Sequence, residues 1–430
     1  MTETDSSVTG RTRPLVAVGY GPRCVPVMQL AEAAAGLCDL LWLIDMAVPG
    51  MGEMADLLNR FGPVVDLGGP GGISTERAVK TLSEWEPDGM TTYLDAGMVE
   101  LALVAEGLGL PFHSPATAAA LTDKARQRRA LADAGLDMPP CHPVGPDQSE
   151  LDLLAVEAEV GWPAVLKPRS AQGSRYTFLV RDAAELEKLL DTLGPGRPDM
   201  VLEGYLADDP ARAGDPYAGY VSVESVVADG AISHLALTGR FPPAGNFRET
   251  GFFIPAAVDA ETRSAVLDLA TRAIEALGVR TGCLHTEVKF TPDGPRIIEV
   301  NGRLGGGVPE MLERAAGVSL LDLTLRVALG QPVSVGGPLA TDRIGYRFFL
   351  QPPTVSATVT AIEGINDFTD HAGVDTVSVH QRPGAALDWR DGSGNHIVAV
   401  VGSTETEEQL QAAYRLLHQE VTVTYTDERL

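Results

Sequence analysis

Two glutamates, Glu287 and Glu299, are the residues whose spacing first points to chemistry. They lie in two short runs, residues 284–290 and 296–301, that flank a Pro-Asp-Gly turn signal, the pattern of an antiparallel β-hairpin. Centred on Asp293, such a hairpin sets Glu287 opposite Glu299, His285 opposite Asn301 and Lys289 opposite Ile297, all on one face. Carboxylates opposed in this way, about 4.5–5.5 Å apart at Cβ, repel each other, so a positive group is expected between them. A hard dication fits: Mg²⁺ takes oxygen ligands, keeps several waters and is usually held by one or two carboxylates together with nucleotide phosphates. The amide oxygen of Asn301 is a candidate third ligand. A merely solvated hairpin would leave the sequel unexplained. Arg303 follows, then Gly305-Gly306-Gly307, where backbone can approach a ligand closely, ahead of a helical pattern over residues 309–330.

The stretch CLHTEVKFTPDGPRIIEVNGRLGGG, Cys283 to Gly307, resembles the metal-binding and catalytic segment of ATP-grasp carboxylate–amine ligases, especially the L-amino-acid (dipeptide or peptide) ligase group. The resemblance implies that Glu287 and Glu299 hold Mg²⁺, with Mn²⁺ able to substitute, and that Asn301 assists. It also implies that Arg303 faces an acyl phosphate, joined by the backbone at Gly306, with His285 on the substrate side. Some dipeptide ligases carry a bulky tryptophan four residues after the catalytic arginine, where it confines the second amino acid. Here that residue is Gly307, from which a deeper acceptor pocket and a large amine substrate are expected.

Other stretches carry matching residue types. Asp123-Lys124 opens a helix that Gly135 and Pro139-Pro140 stop, and the family pattern makes Lys124 a phosphate contact. WPAVLKPRSAQGSRYTFLV reads as a strand ending at Lys167, a loop with Ser170, Gly173 and Ser174, and a second strand. Small loop residues offer backbone N–H groups to phosphate oxygens and Lys167 offers a point charge, although the spacing is not that of a Walker A loop. The loop resembles the glycine-rich flap that closes over ATP. The strand at residues 201–206 resembles the segment linking two ATP-binding lobes, which makes Glu203, Tyr205 and Leu206 nucleotide contacts. Glu224, embedded in an apolar run, needs a buried partner. NFRETGFFIP resembles the substrate segment of the amino-acid ligases, with Glu249 near the substrate and Phe252 where several members have histidine.

These residues need a scaffold, and the chain's patterning supplies one. From Pro14 to Leu108 short apolar runs alternate with helical ones, which implies a parallel sheet with helices on both faces. The lone Gly19-Tyr20-Gly21 turn falls short of a dinucleotide fingerprint and reads as a strand-to-helix turn, against a dehydrogenase. The expected organisation is a mobile tail at 1–13, a Rossmann-like lobe at 14–113, an ATP-grasp domain at 114–330 and a small α+β lobe at 331–430. The fold class is thus α/β and α+β.

With 58 acidic against 33 basic residues, a net charge of −25, nucleic acid and anionic membrane are not expected partners. Small-molecule carboxylate and amine substrates are, and a homodimer is allowed. Four scattered cysteines without metal-ligand spacing, a polar start and no apolar run of about 18–20 residues point to a reduced, cytoplasmic setting. The expected reaction is ATP-dependent amide formation through an acyl phosphate. Its rivals are a biotin-dependent carboxylase subunit, a purine-pathway ligase and a non-catalytic ATP-sensing protein.

Overall fold

The structure, a computed structural model, describes residues 11–22, 24–68, 72–146, 151–333, 335–371 and 373–427. Residues 1–10 of the expected tail lie outside them; Arg11 already bonds the carbonyls of Trp85 and Glu86.

The alternating pattern after Pro14 forms a four-stranded parallel sheet in the order β3-β2-β1-β4, from β1 (Leu15–Gly19), β2 (Asp39–Ile44), β3 (Val64–Asp66) and β4 (Gly89–Thr92). All five residues of β1 are buried, as a parallel sheet with both faces covered requires. A Cβ on Gly19 would come within 2.5 Å of Leu101 and 2.8 Å of Thr92, so packing accounts for this glycine without a ligand.

A second, antiparallel sheet is built from β5 (Cys141–Val144), β6 (Ala164–Pro168), β7 (Phe178–Val180) and β8 (Met200–Gly204), in the order β5-β8-β6-β7. The central sheet begins with β9 (Tyr220–Ala228), β10 (Ala231–Arg240), β11 (Gly251–Ile254), β12 (Gly282–Thr291) and β13 (Gly294–Asn301). It continues without a break into the C-terminal region: β14 (Ile344–Leu350) pairs with β11, and β18 (Val398–Thr404) and β16 (Val374–Val379) extend it to eight strands. The remaining strands, β15 (Ala357–Glu363), β17 (Ala386–Leu387) and β19 (Thr422–Asp427), form a small sheet of their own. A boundary at residue 330 therefore divides the chain but not the sheet. One apolar core runs from Val16 and Trp42 of the front lobe to Leu304, Met311 and Leu325 beyond the β12–β13 hairpin, fixing that lobe against the candidate site.

The hairpin register corrects one expectation. Thr291 pairs with Gly294, so the turn is centred between Pro292 and Asp293, and Lys289 faces Arg296 rather than Ile297. Ile298 is then an extra residue, a β-bulge that advances β13 by one position and brings Glu287 opposite Glu299 and His285 opposite Asn301. The bulge leaves the Ile298 carbonyl without a ladder partner on β12, and a guanidinium N–H of Arg128 donates to it.

Candidate active site

Two local devices bring the lysines together. Asp123 caps helix Lys124–Asp133 by accepting from the Arg126 N–H, and the same carboxylate accepts from Arg169 at 2.9 Å, while the Lys124 N–H donates to the Arg169 carbonyl at 3.0 Å. Arg169 stands two residues after Lys167, so capping the helix also docks it on the end of β6. The helix then buries a face spaced i, i+3, i+4, i+7: Lys124, Gln127, Arg128 and Leu131. Gln127 pairs with the edge strand β13 as a strand would, donating to the Val300 carbonyl and accepting from its N–H, both at 2.8 Å.

Lys124 Nζ lies 2.9 Å from Glu299 Oε1 and donates to the Ala171 carbonyl of the flap at 2.9 Å. Lys167 and Arg128 converge on the buried Glu203, at 2.8 and 3.0 Å. Burial alone would raise the Glu203 carboxyl; Arg128 and Lys167 outweigh it and hold the pKa at about 2. The two cations share one anion, and burial, with Arg128 and Lys124 nearby, pulls the Lys167 pKa down despite Glu203. The excess of positive charge borders the cavity, where phosphate oxygens would complete it.

Around the hairpin, Glu224 explains itself. Its buried carboxylate accepts from Ser222, Thr238 and His285 Nδ1, the last at 2.9 Å. The other ring nitrogen, Nε2, lies 3.4 Å from Glu287. Burial disfavours the imidazolium, but Glu224 and then Glu287 outweigh it and raise the His285 pKa to about 9. His285 is thus a charged strut between two carboxylates and orients Glu287. Arg240, fully buried at the end of β10, sits 3.4 Å from Glu249, donates to Ser222 at 3.0 Å and lies over the Phe252 ring at 4.3 Å. An aromatic at position 252 therefore serves a cation. Burial beside Glu287 raises the Glu249 pKa, only partly countered by Arg240, whereas His285, Arg240 and Arg303 keep Glu287 low against its own burial.

One cavity of about 1150 Å³ joins these groups. Its wall includes Lys124, Lys167, Gly173, Ser174, Glu203, Tyr205, Leu206, Glu249, Phe252, His285, Glu287, Glu299, Arg303, Gly306 and Gly307. Ser170 and Asn301 are not on it. The Ser170 hydroxyl donates to the Thr122 carbonyl, which fixes the flap's base. The Asn301 oxygen accepts from Arg303 at 3.3 Å, so Asn301 helps to aim that arginine. Arg303 is also gripped by Asp95 of the front lobe at 3.1 Å and donates to the Leu304 carbonyl. Of the three consecutive glycines only Gly306 faces open space; a Cβ at Gly305 would strike His285, and one at Gly307 would strike Arg347. The deeper pocket expected from Gly307 is not there, because Arg347 fills that volume. Arg240, Asp95 and Arg347 are absent from the sequence-based set. Of these only Arg240, a cation at the end of a largely apolar strand, carried a signal.

The flap is closed. The Gly173 carbonyl accepts from the Ser393 N–H, Tyr176 N–H donates to the Arg390 carbonyl and Ser174 Oγ donates to the Phe247 carbonyl, each at 2.8 Å.

The donor set fits a hard dication. Glu287 and Glu299 keep 23% and 18% of their side-chain surface, on the cavity wall. Among the described residues no group of three or more His, Cys, Asp or Glu side chains forms a cage, so phosphate and water oxygens would have to complete the shell. All four cysteines are free thiols, and no helix among the described residues is long and apolar enough to cross a membrane.

Residues 221–310, most of β9 through the start of the helix after the glycine run, match the ATP-grasp domain family. The chain is 28% identical over 333 residues to the uncharacterized protein y4rH of Sinorhizobium fredii, covering 75% of this chain and 66% of that protein. It is 27% identical over 271 residues to the alanine–anticapsin ligase of Bacillus subtilis, covering 59% of this chain and 56% of the ligase. The chain thus spans less than two thirds of the length of these curated relatives. The crystal structure of an L-amino acid ligase from Bacillus licheniformis superposes with a TM-score of 0.76 at 24% identity, over 97% of this chain and all of that one, which establishes a shared fold.

Proposed function

We propose that this chain, whose residues 221–310 match the ATP-grasp domain family, is an ADP-forming carboxylate–amine ligase that joins an amino acid or peptide through a new amide bond. The observation that carries the reading is the opposition of Glu287 and Glu299 on the wall of a cavity that Lys124, Lys167 and Arg303 also line.

A carboxylate is a poor electrophile and needs activation. In the proposed reaction its oxygen attacks the γ-phosphorus of ATP, ADP leaves, and an acyl phosphate remains. An amine then attacks the acyl carbon, phosphate leaves with the bonding pair, and the amine loses its proton. Mg²⁺ held by Glu287 and Glu299 would supply charge neutralisation at the phosphates. Lys124 and Lys167 orient the phosphate chain, and Tyr205 and Leu206 border the nucleotide base. Glu249 and Arg240 face the first substrate. Arg303, aimed by Asp95 and Asn301, stabilises the oxyanion of the acyl transfer, with the open backbone at Gly306 beside it. The closed flap excludes water from the mixed anhydride.

The direct test is ADP release over a pairwise matrix of amino acids, with mass spectrometry of the products. Amide products support the reading; ADP release that depends on bicarbonate or a ribonucleotide, or nucleotide binding with no turnover, overturns it. Within that assay Arg303→Lys is expected to lower amide formation on the order of 100-fold, because the charge stays while the fork that meets Asp95, Asn301 and the acyl oxygen is lost. Unchanged rates in the lysine protein would assign Arg303 to bracing the front lobe alone.

A further inference from the structure

Gly307 has a left-handed backbone, φ 75°, at the start of helix Val308–Ala316. The position where its Cβ would stand is 2.5 Å from Arg347 Cδ and 3.0 Å from Nη1. A side chain at 307 and this placement of Arg347 exclude each other. Arg347 comes from β14, in the C-terminal region, on the strand face opposite the fully buried Tyr346 and Phe348. Its Nη1 lies 2.9 Å from Glu310 Oε2, whose other oxygen accepts from Gln29 of the front lobe at 2.9 Å. The guanidinium carbon lies 5.4 Å from the Phe349 ring centre. Three separate parts of the chain therefore meet at one arginine on the cavity wall.

As an interlobe staple the ion pair with Glu310 would suffice, yet it engages one N–H of a five-donor group. The Nε is buried and has no acceptor among the described residues, an arrangement that favours a further anionic partner. The planar edge of a guanidinium matches a carboxylate. The arginine also replaces the volume that a side chain at 307 would occupy, next to Gly306 and three residues beyond Leu304, the neighbour of Arg303.

Resting on the ligase reading above, we propose that Arg347 selects the amine substrate by binding a carboxylate on it, either the α-carboxylate of an amino acid or peptide or an acidic side chain. The cavity is then narrowed and made cationic at this end rather than enlarged.

The test compares amines with and without the carboxylate. Glycine against glycinamide reads the α-carboxylate, and glutamate against glutamine reads the side chain; glycinamide, lacking a free carboxylate, enters only as the amine, and in the other arms fragmentation of the product fixes the direction. In the wild-type protein the preferred amine is expected to exceed its carboxamide by about 10- to 100-fold in kcat/KM, through KM for the amine and not for ATP. Arg347→Gln should bring that ratio close to one while turnover of the carboxamides persists, and Arg347→Lys should keep part of it. A wild-type ratio near one in both arms overturns the proposal, and so does an equal loss for carboxylates and carboxamides in Arg347→Gln, which is the signature of a brace. A wild-type protein that forms no amide with any amine overturns the ligase reading itself.

Discussion

Glu287→Gln and Glu299→Gln proteins are expected to fold and to lose ATP-dependent amide formation by about 10²- to 10⁴-fold, the range for removing several kcal/mol of charge stabilisation at a reacting phosphate. Both proteins should also melt lower than wild type. Removing the Glu287 charge relieves its repulsion of Glu249 but also loses the attractions of His285, Arg240 and Arg303 that hold the Glu287 carboxyl low, although His285 still has Glu224. Glu299 pairs with Lys124, whose side chain is 8% exposed, so Glu299→Gln deprives a buried cation of this partner. Product formation within tenfold of wild type in either protein would remove the hairpin from the metal chemistry.

The second large effect concerns stability. Glu203→Gln removes the anion beneath Lys167 and Arg128, two side chains no more than 10% exposed, and should destabilise the sheet formed by β5–β8 by about 3–5 kcal/mol. The sign with pH follows from the folded pKa lying below the ordinary 4.5, at about 2. The contribution is fully present above pH 4.5 and is lost as the pH falls through about 2. Wild-type protein should therefore shed protection of the β6 and β8 amides across that acid window, and Glu203→Gln should show little further loss there. Amide exchange that is alike in the two proteins at neutral pH, with only the KM for ATP changed, would make Glu203 a nucleotide ligand and not a structural anion.

The hairpin shows how much could be read from residue types and spacing. The opposition of Glu287 to Glu299 was read correctly although the turn lies half a residue from where it was expected, because a bulge at Ile298 makes up the difference. A symmetric pattern of apolar and polar residues carries no mark of an extra residue in one strand. The front lobe was legible nearly strand for strand, since each β-run is short, apolar and followed by a helical run. Side-chain direction was not. Asn301 meets the Arg303 guanidinium and the Ser170 hydroxyl meets the Thr122 carbonyl, partners that no spacing marks. Arg347 was missed because its meaning depends on residues far along the chain: it meets Glu310 across 37 positions, just as Arg303 meets Asp95 across 208. The continuity of the central sheet into β14, β18 and β16 was hidden for the same reason, as strand order is not written in strand composition.

The closed flap has a consequence for timing. Its hydrogen bonds to Ser393, Arg390 and Phe247 each contribute about 1 kcal/mol net, so shutting it by these contacts alone weights the closed form by about 10²-fold over an open one. Any molecule that enters only the open form meets a small standing population, and its apparent affinity falls by that fraction. The segment Trp389–Asn395, which supplies Ser393 and Arg390, lines the cavity through Asp391, Ser393 and Gly394, and the Ser393 hydroxyl accepts from the Glu249 N–H. Substitutions there are expected to act as a clock adjustment, altering how often the chamber exchanges its contents and, with it, how often water reaches a reactive intermediate inside.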